Sequence, residues 1–140
     1  MDKEEYKRDQ YFWHFVYSVV FVALVALSLL YLKTHDRLPR KIPTFDFILL
    51  GLATFRLIRL FTYDLITNFI RAHFKQYKNG PGRVAWHLLD CPWCSGVWMA
   101  FAVTFFYFAT PFAWYPILIL AIAGVGSFVQ ITIYKIGYGL

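Results

Sequence analysis

The chain has 140 residues, of which 59% are hydrophobic, 21% aromatic and only 16% charged, and its formal net charge is +6. Globular chains are nearer half apolar and a quarter charged, so this balance points to a membrane protein rather than a soluble domain with an enlarged core. The basic residues lie between apolar runs, where they face phospholipid headgroups rather than nucleic acid, and two cysteines are too few for a secreted disulfide framework.

The first apolar run spans about 12–32, with Trp13, Tyr17 and Tyr31 toward its ends. About 20 residues at 1.5 Å each cross a hydrocarbon core, so this run predicts a transmembrane helix. It is longer than a secretory h-region, and no small-x-small cleavage site precedes Lys33, so it reads as a signal anchor. A basic connector with Lys33, Arg37, Arg40 and Lys41 follows.

The second predicted helix starts at about Phe45, capped by Thr44, and continues to about Phe74, with a span over 45–70. Its first half is apolar; Arg56, Arg59, Tyr63, Asp64, Thr67, Asn68 and Arg71 interrupt its second. Spacings of three and four put Arg56, Arg59, Tyr63, Thr67 and Arg71 on one helical face, with Asp64 facing Asn68 four residues on. Charge at membrane depth usually turns toward a bundle interior or water. The stripe therefore predicts either a polar intramembrane site for an anion, lipid headgroup or ion, or arginines snorkelling to headgroups.

Asn79-Gly80-Pro81-Gly82 is a strong turn signal, and Arg83–Leu89 reads as a short amphipathic piece with Trp86 at the interface. The third span covers about 92–109 and the fourth about 116–136. The connector between them is so short that an antiparallel hairpin is expected. Gly96 with Ala100, and Ala123 with Ser127 beside Gly124, form small-xxx-small pairs that let helices approach closely in lipid. The fold class is thus all-α, an integral membrane protein of about four transmembrane helices. The distribution of Lys and Arg places both termini in the cytoplasm.

Both cysteines lie in Asp90-Cys91-Pro92-Trp93-Cys94-Ser95-Gly96-Val97-Trp98. Pro92 suits a first helical position, which makes Cys91 the N-cap and Cys94 the third helical residue. Partial positive charge at a helix N-terminus favours thiolate.

Two patches, Thr54-Phe55-Arg56-Leu57-Ile58-Arg59-Leu60 followed by Asp64, and Leu88 to Trp98, resemble a family of small membrane proteins of bacilli, actinobacteria and their phages. One member is named as a sporulation protein. The family's pattern is T-x-R-L-x-R-L…D, then C-P-x-C-x-G-x-W, and the resemblance covers roughly Phe47 to Thr110. It implies that Arg56, Arg59, Asp64, Cys91 and Cys94 form one unit, and it carries no established activity.

The cysteine pair admits three readings. As a dithiol–disulfide couple, Cys91 and Cys94 would serve a membrane oxidoreductase, although such enzymes generally relay electrons through a second cysteine pair. As metal ligands, His87, Cys91 and Cys94, completed by His73 or Asp90, would hold zinc. As packing, they are small residues that start a helix beneath Trp93 and Trp98. No phosphate loop, nucleotide fingerprint or nucleophile elbow is present. The expected function is a small polytopic subunit for assembly, scaffolding or regulation, in contact with membrane lipid and a homo-oligomer or complex partner. The alternatives are a thiol–disulfide oxidoreductase and an oligomeric pore lined by Arg56, Arg59 and Asp64.

Overall fold

The structure, a computed structural model, describes residues 2–38 and 41–139; Arg40 of the basic connector lies outside them. Among the described residues there are six α-helices: α1 (Lys3–Thr34), α2 (Thr44–Thr62), α3 (Asn68–Lys75), α4 (Gly80–Asp90), α5 (Pro92–Ala109) and α6 (Trp114–Tyr138). Short 3-10 turns at Leu65–Thr67 and Pro111–Ala113 join α2 to α3 and α5 to α6. Among the described residues, three segments are long and apolar enough to cross a membrane: Lys3–Thr34, Pro92–Ala109 and Pro111–Tyr138.

α1 begins well before its apolar run. Asp2 is its N-cap, and Glu4 and Glu5 in the first turn complement the positive end of the helix dipole. The added polar turns dock the helix: Asp9 accepts from the Gly80 backbone N–H at 3.0 Å and from Trp13 Nε1 at 3.2 Å. Gly80, with φ +73, occupies a left-handed backbone position that a side chain would strain. α2 starts one residue earlier than expected, with Pro43 rather than Thr44 at the cap.

The order of contacts fixes the helix directions. Phe21 meets Trp98 and Phe101, and Tyr31 meets Phe105, so α1 and α5 run parallel. Asp46 accepts from the Tyr107 hydroxyl, while Thr62 lies 3.4 Å from Ser95, so α2 runs antiparallel to α5. Leu52 lies against Gly124 and Arg56 against Ser127, so α2 runs parallel to α6. The start of α1, the end of α2, α3, α4, the start of α5 and the end of α6 therefore share one end of the bundle.

α2 is the central helix. It packs most extensively on α6 and then on α5, whereas α5 and α6 barely touch. The expected antiparallel direction and short connection of α5 and α6 are present, but the two helices do not pack directly on each other, because α2 lies between them. The core joins Leu49, Leu50 and Ala53 of α2 to Val103 of α5 and Ile117 and Ala121 of α6. The small residue that permits this is Gly124, where a Cβ would sit 2.5 Å from the Leu52 carbonyl oxygen. Ala123 faces outward, so the buried small pair on α6 is Ala121 with Gly124, three apart, rather than Ala123 with Ser127. On α5, Gly96 sits under Ile58 while Ala100 is exposed.

Candidate functional site

The charged stripe is not one helical face. α2 ends at Thr62, the chain breaks at Tyr63 and Asp64, and α3 starts at Asn68. The break has a physical reason in its donors. A helix C-terminus leaves carbonyls unpaired and favours cations. Here the Thr67 hydroxyl donates to the Leu60 carbonyl, and Arg71 donates to the Phe61 and Asp64 carbonyls at 3.0 Å each. The sequence signal for the break is Asp64 itself, an N-cap residue type followed by a new turn.

The break also decides the pairing. The Asp64 carboxylate takes Arg56 Nη2 at 2.8 Å, with the two side chains 23% and 24% exposed. Arg56 Nη1 donates to the Ser127 hydroxyl of α6 at 3.1 Å. One guanidinium thus ties together α2, the segment after it and α6. Asp64 does not face Asn68 along a helix; Asn68 opens α3 and is exposed. Arg59 lies over the Tyr63 ring at 5.3 Å and has no carboxylate partner among the described residues. Arg56 and Arg59 line an open groove of about 370 Å³ with Ala123, Gly126, Ser127, Gln130 and Ile131. The sequence marked Ser127 only as a small residue, because no pattern announces its contact with Arg56 on a distant helix, and it placed Thr67 and Arg71 on a continuous helix, which hid their capping roles.

The cysteine junction matches its expected local geometry. Cys91 is extended, at once the C-cap of α4 and the N-cap of α5, with Pro92 in the first turn. Both cysteines are free; Cys91 is half-buried and Cys94 exposed. The Cys91 sulfur makes no capping hydrogen bond of ordinary geometry. The Cys94 thiol first, and then the N–H groups of Cys94 and Trp93, nevertheless hold its pKa below the usual thiol range. Below it, Ser95 is buried, donates to the Cys91 carbonyl at 3.0 Å and meets Thr62 of α2. An apolar cavity of about 340 Å³ adjoins this junction, lined by Tyr17, Phe74, Leu88, Trp98 and Met99 among others.

The proposed zinc ligands do not converge. Among the described residues, no three His, Cys, Asp or Glu side chains come together as a metal-holding group, so His87, Cys91 and Cys94 remain a sequence spacing. His87 has its own surroundings: burial first, then Arg83 and His14, push its pKa down. Its backbone carbonyl accepts from the Cys91 N–H at 3.1 Å.

No solved structure matches the chain. Two curated relatives from Bacillus subtilis (strain 168) are similar to it. The UPF0713 protein YngL is 36% identical over 100 residues, covering 62% of this chain and 77% of the relative. The sporulation protein YjcA is 33% identical over 106 residues, covering 63% of this chain and 90% of the relative. The match to a family profile extends from the core of α2 through most of α6, over residues 49–86 and 82–133. On that match, the chain belongs to the family described as "Protein of unknown function (DUF1360)".

Proposed function

We propose that this chain is a four-crossing protein of the cell membrane, with cytoplasmic termini, that serves as a homo-oligomeric assembly, scaffold or regulatory subunit. The fourth crossing is α2. Its 19 residues span about 28 Å, enough for a hydrocarbon core. Its charges are confined to its ends, with Asp46 in the first turn and Arg56 and Arg59 in the last two. It lies between two oppositely directed helices that are each apolar enough to cross. The end holding α3 and α4 carries more Lys and Arg, which favours its cytoplasmic placement.

The observation that carries the subunit reading is an apolar surface outside the bundle core. Leu65, Ile66 and Phe69, between α2 and the start of α3, are 86%, 73% and 71% exposed. Trp93, in the first turn of α5 at the same end, is 87% exposed. These four residues lie at the Lys- and Arg-rich end of the bundle rather than along the middle of the apolar spans, where exposure to lipid is expected, and exposed apolar residues so placed support a protein contact. The Arg56–Asp64–Ser127 clamp supports this reading over an ion pathway, because its charges are already paired within one chain. A photo-crosslinking residue in place of Phe69 or Trp93 tests it in native membranes. Covalent dimers of the chain are expected; only lipid adducts at both positions would refute the contact surface.

A second reading keeps support from the junction. A Cys91 thiol of lowered pKa beside an exposed Cys94 has the arrangement of a thiol–disulfide couple. Cys91 would attack a partner disulfide, and Cys94 would resolve the mixed disulfide, leaving Cys91–Cys94 oxidised and the partner reduced. A glutathione redox titration in which the pair never closes would end it.

A further inference from the structure

We propose that the groove between α2 and α6 binds the phosphate of an anionic phospholipid, with Arg59 as the principal contact. This inference concerns a different surface from the subunit contact and does not depend on oligomerisation.

Charge sets the ligand. Of the two guanidinium groups lining the groove, Arg56 is neutralised by Asp64 at 2.8 Å, and Arg59 has no carboxylate partner among the described residues. Arg59 rests on the Tyr63 ring, which orients the guanidinium without removing its charge. Ser127 and Gln130 add a hydroxyl and an amide donor from the facing helix. The groove thus offers one net positive charge and several N–H and O–H donors. Planar guanidinium groups pair with the oxygens of an anion, phosphate or carboxylate, and repel a cation, so the ligand is an oxyanion; at headgroup depth that oxyanion is the phospholipid phosphate.

Position sets the source. Arg59 is three residues before the end of α2, at the end of the bundle shared with α3 and α4. On the four-crossing reading that is headgroup depth. Of the apolar lining residues, Ile131 is level with Arg59, while Ala123 and Gly126 lie toward the start of α6; because α6 runs parallel to α2, these two small residues carry the groove past Arg56 and Ser127 into the hydrocarbon layer. A Cβ at Gly126 would meet nothing within 4 Å, so the groove is open where an acyl chain would lie. A free phosphate would use the donors but not this apolar track.

Native mass spectrometry of the detergent-purified protein tests the site, with added phosphatidylglycerol, phosphatidylcholine or inorganic phosphate. Wild type should retain phosphatidylglycerol over phosphatidylcholine. Arg59→Ala should weaken that retention about tenfold, the loss of one charged hydrogen-bonding contact. Arg59→Lys should fall between, because it keeps the charge and loses the planar fork. Lys78→Ala, which removes an equal charge from an exposed loop, should retain the lipid as wild type does. Gly126→Leu should exclude the lipid by filling the groove. Equal retention of both lipids by wild type, or equal losses in Arg59→Ala and Lys78→Ala, would overturn the proposal. Inorganic phosphate binding undiminished in Gly126→Leu, with no lipid retained by wild type, would overturn the lipid assignment.

Discussion

Replacing Asp64 with Asn should destabilise the bundle through Arg56. The carboxylate holds Arg56 Nη2 at 2.8 Å, with both side chains about three-quarters buried. Breaking a fully buried pair costs about 3–5 kcal/mol, because the surviving charge is left uncompensated. An exposed pair contributes about 0–1 kcal/mol. A quarter-exposed pair with one more hydrogen bond, to Ser127, falls between these limits, at about 2 kcal/mol. The measurement is reversible unfolding in mixed micelles of Asp64→Asn, Arg56→Gln and the double variant. The double variant should lose less than the sum of the single losses, with a coupling of at least about 1 kcal/mol. Arg59→Gln, which within the chain removes the stacking on Tyr63 and no ion pair, should cost less than about 1 kcal/mol in micelles free of anionic lipid. A coupling below about 0.5 kcal/mol, or a greater loss for Arg59 than for Arg56, would refute the clamp.

Other outcomes follow from the same contacts. Gly124→Ala should lower the melting temperature because its Cβ would press on the Leu52 carbonyl, while Gly126→Ala should not, since that side is open. Alkylation of Cys91 should reach half its maximal rate below the usual thiol range. The sign follows from the lowered pKa: thiolate forms at lower pH, and Cys94→Ala, which removes the donor, should move the midpoint back up, because the Cys94 thiol is the largest cause. Single cysteines introduced at Lys78 and Arg37, in a background lacking Cys91 and Cys94, should label from opposite sides of the membrane, Lys78 from the cytoplasm. Same-side labelling would mean that α2 does not cross.

Composition and local chemistry made much of this fold readable. The apolar runs located α1, α5 and α6, and Asn79-Gly80-Pro81-Gly82 marked the break before α4, although α4 takes in Gly80, Pro81 and Gly82 and starts three residues before the expected Arg83. Pro92 after Cys91 fixed the α4–α5 junction, because a residue lacking an N–H is favoured in a helix's first turn. The break after α2 was misread because Tyr63, Thr67 and Arg71 continue a helical spacing from Arg56. The Thr67 and Arg71 side chains instead satisfy the carbonyls exposed where the helix stops, and the Tyr63 ring lies under Arg59. Spacing identifies residues that share a face only while the backbone stays helical. The central position of α2 was also hidden, since the short α5–α6 connector argues for direct packing. Gly124 shows why the tertiary choice went otherwise: only a missing side chain admits the α2 backbone so closely.

The oligomeric state in a lipid environment tests the subunit reading most directly. Native mass spectrometry of the chain ejected from lipid nanodiscs should show a discrete multiple of the 16.5 kDa protomer, and Phe69→Ser with Trp93→Ser should shift the population toward single chains. A protomer that stays monomeric at every lipid ratio and concentration would contradict it.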